Sequence, residues 1–387
     1  MPFTSWRGFD IRPRKDKLEK TFRGEKPLSA MDMPVIVSTG NYFGFGGKKR
    51  PSEYWQDPAC MYNYQATYLL EHLSKVEDDL VPFFMPWFGT GVLASAFGCP
   101  VKWASGNGDD PCAAGPAVHC AKEAALLKLP NLERDGLMPM VLKFIDYARE
   151  NGDLPVGPTD LNSPFSTLTQ ICGYENLFVW MYEEPELVHE LMAMVTEAFI
   201  LWLKKQKQHT CEESDSSNGL QGVWSPKGVG VWISDDDLIA MGPELYEKFV
   251  VPHYRELFAA FSGGSLHYCG AGTQHLDNFA KIGHVRAINN SPMGNTAAFD
   301  ALVAGRPKGS VLEIQDNAPE DPVAYYQKLF ANTRDFTGIM VATWVLDTVA
   351  MTNDGGYRIV QWDPIEAANA TVRAIRKAAT DRMEAVA

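Results

Sequence analysis

This chain contains no run of 18 apolar residues, so no segment can cross a bilayer as a helix. Its N-terminus, Met1-Pro2-Phe3-Thr4-Ser5-Trp6-Arg7, lacks the apolar centre of a secretory leader. The seven cysteines (Cys60, Cys99, Cys112, Cys120, Cys172, Cys211 and Cys269) are odd in number, and none falls in a Cys-x-x-Cys spacing. That speaks against a disulfide framework. Cations are scarce: 35 Lys and Arg stand against 48 Asp and Glu, a formal charge of −13. An acidic surface repels phosphate backbones, which argues against nucleic acid as a partner. No Gly-x-Gly-x-x-Gly follows the first strand, so the dinucleotide-binding fingerprint is missing too. These absences leave the expectation of a reduced, soluble, cytoplasmic protein with no membrane partner.

What remains is an ordinary globular composition, 45% hydrophobic over 387 residues, enough for one large barrel or two medium domains. Residues 1–30 are basic (Arg12, Arg14, Lys15, Lys17, Lys20) and read as an irregular N-terminal arm; 31–387 read as one domain. The β-rich Pro34–Thr39 ends in a loop carrying Tyr42, Phe43, Phe45 and Gly46-Gly47. Leu80–Pro86 reads as a strand, Gly98–Pro116 as a long irregular insertion and 211–219 as a polar loop. Pro185 opens the clearest helix, with Leu187, Val188, Leu191, Val195, Ala198, Phe199 and Trp202 on its apolar stripe. After residue 228, strands and helices alternate: strands at 228–234, 265–269, 285–289, 310–314 and 338–344, with helical patterns between them. This alternation predicts βαβ units and a parallel sheet, and with the length it predicts an α/β fold, a (β/α)8 barrel with an N-terminal extension and long loops at its mouth.

In such a barrel the chemistry sits at the carboxyl ends of the strands. Polar residues gather there in this sequence: Asp235 and Asp236, His267 and Cys269, Asn289 and Asn290, Glu313 and Asp316, then Asp347. Residues i and i+2 of a strand face the same way, so His267 and Cys269 are expected side by side, and imidazole with thiolate is a donor pair suited to zinc. A buried Cys and a hydrogen-bonded core His would give the same pattern, so the motif alone leaves both readings open. Asn162, after Gly157-Pro158, is expected to face the pocket. Phe83, Phe84, Trp87, Phe88, Trp103 and Trp232 are candidates for an apolar lining, although each taken singly suits the core as well.

An ordered set of short motifs then resembles the uroporphyrinogen decarboxylase superfamily over about residues 80–385. These are Ala94-Ser95-Ala96-Phe97-Gly98, Val156-Gly157-Pro158, Glu184-Pro185-Glu186-Leu187-Val188, Met241-Gly242-Pro243-Glu244-Leu245-Tyr246, Val251-Pro252-His253-Tyr254 and His267-Tyr268-Cys269-Gly270. The resemblance implies the (β/α)8 barrel. It lies nearest the corrinoid-dependent methyltransferases, whose His-x-Cys-Gly pair binds zinc. It therefore implies a methyltransferase of the O-demethylation kind, acting between a small-molecule methyl donor or acceptor and a methylcobalamin-type corrinoid carried by a partner protein. Dimers occur in the superfamily, which leaves room for a homodimer.

The sequence departs from that pattern in two places. True decarboxylases carry an Arg-rich N-terminal signature to grip substrate carboxylates. The matching stretch here, Ser38-Thr39-Gly40-Asn41-Tyr42, has no Arg. The coenzyme M enzymes carry a second Cys at the last strand, and no Cys follows Cys269 here. A carboxylate is then expected to complete the metal shell: Glu313 and Asp347 are the first candidates beside His267 and Cys269, with Asp235 or Asp236 next. Asp235, Asp236 and Asn162 are the candidate catalytic residues. A carboxylate-completed site favours an oxygen-bound, methoxylated substrate over a thiol. A metal-independent decarboxylase or lyase, and a non-enzymatic small-molecule-binding barrel, stay open as alternatives.

Overall fold

The computed structural model describes residues 3–39, 50–103, 110–159, 162–210, 216–219 and 222–387. The aromatic loop around Tyr42–Gly47, the centre of the 98–116 insertion and most of the polar loop at 211–219 lie outside the described residues.

Six parallel strands organise the molecule. They are β1 (Val35–Thr39), β2 (Val231–Ser234), β3 (Gly264–Tyr268), β4 (Val285–Asn290), β5 (Val311–Ile314) and β6 (Ile339–Val345). Their spatial order is β1-β6-β5-β4-β3-β2. Parallel sheets are covered on both faces, so their strands read as near-continuous apolar runs. Val-Ile-Val-Ser-Thr in β1 and Ile-Met-Val-Ala-Thr-Trp-Val in β6 fit that rule, and all but Trp344 of these twelve residues are buried. Helices Leu276–Ile282, Thr296–Gly305 and Pro322–Leu329 fill the crossovers between β3 and β6. The 23-residue C-terminal helix Pro364–Val386 packs on the last of these and on β1.

The sheet curls into a half-barrel. Two segments continue the arc through single parallel bridges, Phe84 to Val156 and Asn162 to Ser234. The outer edge of β1 is satisfied without a strand: Asp79 accepts from Val35 N–H and Asp78 from Val37 N–H, both at 2.9 Å. Buried backbone donors must find partners, and here two carboxylates supply them.

Those carboxylates explain the N-terminal segment. Residues 12–22 form a helix, Arg12–Phe22, where the sequence suggested an irregular arm. Lys17 pairs with Asp79 at 2.6 Å and Arg14 with Asp78 at 3.4 Å, while Trp6, Ile11, Leu18 and Phe22 enter the core. The basic residues neutralise the acids that edge β1, and the few apolar ones anchor the helix. A helix, Pro164–Cys172, follows Val156-Gly157-Pro158; a second, Tyr174–Glu183, and a hairpin of Val349–Met351 with Tyr357–Ile359 were not expected from the sequence.

Candidate metal centre

The carboxyl ends of β2 and β3 bring three donors together. His267 is the penultimate residue of β3 and is buried, while Cys269 follows the strand directly. Gly270, at φ +80°, turns the chain away just beyond it, a conformation that costs glycine nothing. Asp236 opens the tight helical turn Asp236–Ala240 after β2. Its carboxylate accepts the Cys269 N–H at 2.7 Å, which ties this turn to the end of β3. The His267 Nε2 lies 3.6 Å from Cys269 Sγ and 3.5 Å from an Asp236 oxygen. All three donor atoms fall within 4.8 Å of one another.

These separations suit a tetrahedral ion. Zinc bonds of about 2.0–2.3 Å at tetrahedral angles put neighbouring ligand atoms roughly 3.3–3.8 Å apart. The set supplies nitrogen, sulfur and oxygen, and leaves a fourth position free, as catalytic zinc sites do. Cys269 is exposed as a residue, yet desolvation of its thiol, with the Asp236 carboxylate beside it, pushes its pKa up to about 12. Coordination would therefore displace a proton from the sulfur.

The other ring nitrogen is also held. His267 Nδ1 meets Asn289 Oδ1 at 2.8 Å, and Asn289 Nδ2 donates to Glu313 Oε2 at 3.0 Å. Strand register makes this row: Asn289 is paired with His267 on one side and with Glu313 on the other. Glu313 is fully buried, and that burial pushes its carboxyl up to about 7 against the opposing Asn289 hydrogen bond. The indole of Trp232 stacks on the imidazole, with centroids 6.1 Å apart and planes at 14°.

The remaining candidates fall elsewhere. Glu313 lies outside the donor triad, one residue removed behind Asn289. Asp347 borders a separate cavity of about 590 Å³ with Thr39, Tyr68, His72 and Trp362. Asp235, adjacent to Asp236, is buried in a cage of hydroxyls: Ser163 at 2.7 Å, Tyr246 at 2.9 Å and Ser166 at 3.4 Å. Burial raises its carboxyl to about 6, opposed by hydrogen bonds from Ser163, Tyr246 and Tyr254. Its N–H donates to the His267 carbonyl at 2.8 Å, so it braces β2 against β3. Asn162 borders a cavity of about 390 Å³ that opens onto Asp236 and is also lined by Asp237, Ser166, Thr169 and Tyr174. No Lys or Arg lines it among the described residues. Asp237 accepts from Thr169 and Tyr174 hydroxyls, and burial raises its carboxyl. Phe83, Phe84, Trp87 and Phe88 are core, Trp103 is largely exposed, and only Trp232 of the expected aromatic lining touches a triad residue. Sequence reading missed Asp237 and Tyr174 as cavity residues. The Asp235-Asp236-Asp237 run was the available signal for the first, whereas nothing in the sequence marked the second.

Comparison with known proteins decides the family. The model of the uroporphyrinogen decarboxylase (URO-D) family matches residues 16–220, more than half of the chain. The chain belongs to the uroporphyrinogen decarboxylase family. The match begins well before the sequence motifs suggested, in the N-terminal helix, and ends before β3, so the His267–Cys269 pair lies outside it. No curated protein matches. Among solved structures, a methyltransferase from Methanosarcina mazei superposes with a TM-score of 0.64 at 17% identity, covering 94% of this chain and 98% of that one. That likeness is one of fold.

Proposed function

We propose that this URO-D family member is a zinc-assisted methyltransferase that moves a methyl group between a small methoxylated substrate and a corrinoid protein. The observation that carries the reading is the triad itself: imidazole Nε2, thiol and carboxylate gathered within 4.8 Å of one another beside a cavity. The methyltransferase fold neighbour supports the same reading. We read the bridged segments around Phe84, Val156 and Asn162 as the arc that completes a (β/α)8 barrel.

His267, Cys269 and Asp236 would hold the ion. When bound, zinc supplies a Lewis acid that stabilises negative charge on the substrate heteroatom as its methyl group leaves for, or arrives from, the corrinoid cobalt. The chain's own residues do the rest. Asn289 fixes the imidazole, Trp232 covers its face, and Asn162, Ser166 and Thr169 offer neutral hydrogen-bonding groups to a substrate in the cavity. A carboxylate donor makes the site harder than an all-sulfur one, which suits an ether or hydroxyl oxygen.

The cavity counts against the decarboxylase alternative. A substrate bearing several carboxylates needs cationic partners, and the described lining offers two carboxylates and no cation. Methyl transfer to cob(I)alamin from a panel of methoxylated compounds tests the reading. Methylcobalamin should form with the zinc-loaded protein and not with Cys269→Ala. Equal rates in the two proteins, or no transfer from any compound, would remove it.

A further inference from the structure

The imidazole of His267 stands between an Asp236 carboxylate oxygen and the Asn289 side chain, either of which can accept a ring N–H. On the Nε2 side lies Asp236, 3.5 Å away. On the Nδ1 side the chain runs through Asn289 to Glu313. If Nε2 carried the hydrogen and donated it to Asp236, its lone pair would be lost to a metal.

The second chain has one polarity once Glu313 is ionised. Its carboxylate oxygens then accept and do not donate, so Asn289 turns its amide nitrogen toward Glu313, as the structure has it. Its carbonyl oxygen then faces His267. A carbonyl oxygen also only accepts, so the ring nitrogen it meets must carry the hydrogen. Asn289 and Glu313 are both fully buried, so no solvent competes for these bonds. The three residues sit at one register level on adjacent strands, which holds them on one face of the sheet.

Glu313 is otherwise hard to account for. Its Oε1 is buried and has no hydrogen-bond partner among the described residues. Such an oxygen is costly to bury, and more so when charged. A Gln would avoid the charge, but its amide can donate as well as accept. Asn289 could then turn over and point its amide nitrogen at the imidazole.

We infer that Glu313 is a positioning residue which, through Asn289, keeps the His267 proton on Nδ1 and presents the Nε2 lone pair to the cavity side. The tautomer claim stands on the hydrogen-bond chain alone; its consequence for zinc rests on the reading proposed above. Outer partners of this kind commonly change metal affinity by about 10–100-fold when removed.

Two measurements test it. The first is the 15N spectrum of metal-free, histidine-labelled protein at pH 8, with the His267 signals assigned by their loss in His267→Gln. Wild type should show the Nδ1-protonated ring, and Glu313→Gln should shift it to the Nε2-protonated form or a mixture. Asn289→Ala, which deletes the acceptor, should do the same and covers the case in which Glu313→Gln fails to fold. An Nε2-protonated wild type, or an unchanged tautomer in both variants, overturns the inference. The second is zinc affinity by chelator competition, expected to fall about 10–100-fold in Glu313→Gln without loss of thermal stability. Zinc binding within threefold of wild type would show that the residue does not position the metal ligand. A wild type that binds no zinc would remove the zinc reading while leaving the tautomer result to decide this one.

Discussion

Replacing Asp236 with Asn separates a metal ligand from a mere neighbour. The substitution keeps the side-chain shape, and an amide oxygen can still accept the Cys269 N–H now held at 2.7 Å. What it removes is the anionic donor 3.5 Å from His267 Nε2. Structural zinc sites bind with about 10–16 kcal/mol over four ligands, or roughly 2.5–4 kcal/mol for each. Losing one should therefore weaken zinc by a factor of about 10²–10³. The same change has an opposite effect on the metal-free protein. Asp236 is one cause of the raised Cys269 thiol, so its neutralisation should bring that thiol down from about 12. Chelator competition measures the first effect, and the pH dependence of Cys269 alkylation the second. An easier thiolate with weaker zinc is the expected pair of results. Zinc affinity within threefold of wild type, in a variant whose thiol has shifted, would refute Asp236 as a ligand.

Three other outcomes are expected. Asp235 and Glu313 have carboxyls raised from 3.8 to about 6 and from 4.5 to about 7, so the fold favours their protonated forms. That stabilisation is complete at low pH and is lost as pH rises through 6 and 7. Each group contributes a loss of about 1.4 kcal/mol per pH unit wherever it is protonated in the folded chain and ionised in the unfolded one. The melting temperature of metal-free protein should fall between pH 5 and 7, and an unchanged slope in Glu313→Gln would contradict the assignment. Gly219→Ala would place a methyl 2.2 Å from the Trp232 ring, which stacks on His267. It should cost about 1–3 kcal/mol in thermal unfolding and weaken zinc; neither effect would mean the indole does not brace the site. Asp236 and Asp237 in a cavity lined by no described cation should make neutral methoxyarenes better substrates than methoxybenzoates of the same shape. Equal kcat/KM for the two classes would show that the cavity is not where substrate sits.

The strands of the carboxyl-terminal half were legible because each is a short apolar run between a turn and a helix pattern. The sequence showed only that His267, Asn289 and Glu313 lie near strand carboxyl ends; the register that lines them up is seen in the structure. Which carboxylate joins the triad was not legible. Glu313 and Asp347 also lie in or just after a strand's carboxyl end, but sequence spacing does not show how the turn after β2 folds Asp236 back over β3. The helix Arg12–Phe22 was hidden for a different reason. Its sequence, Arg-Pro-Arg-Lys-Asp-Lys-Leu-Glu-Lys-Thr-Phe, has few apolar residues, and its placement depends on Asp78 and Asp79, more than fifty residues away. Tyr174 showed no signal, because its contact with Asp237 spans 63 positions and it opens a helix, Tyr174–Glu183, that the pattern did not reveal.

The central claim is that His267, Cys269 and Asp236 form a zinc site. Metal analysis of protein purified without chelator, wild type beside Cys269→Ala, tests it most directly. The account expects about one zinc per wild-type chain, since three such ligands bind the ion tightly at neutral pH, and a large loss in the variant. A wild type without stoichiometric zinc, or a variant that keeps it, would contradict the account.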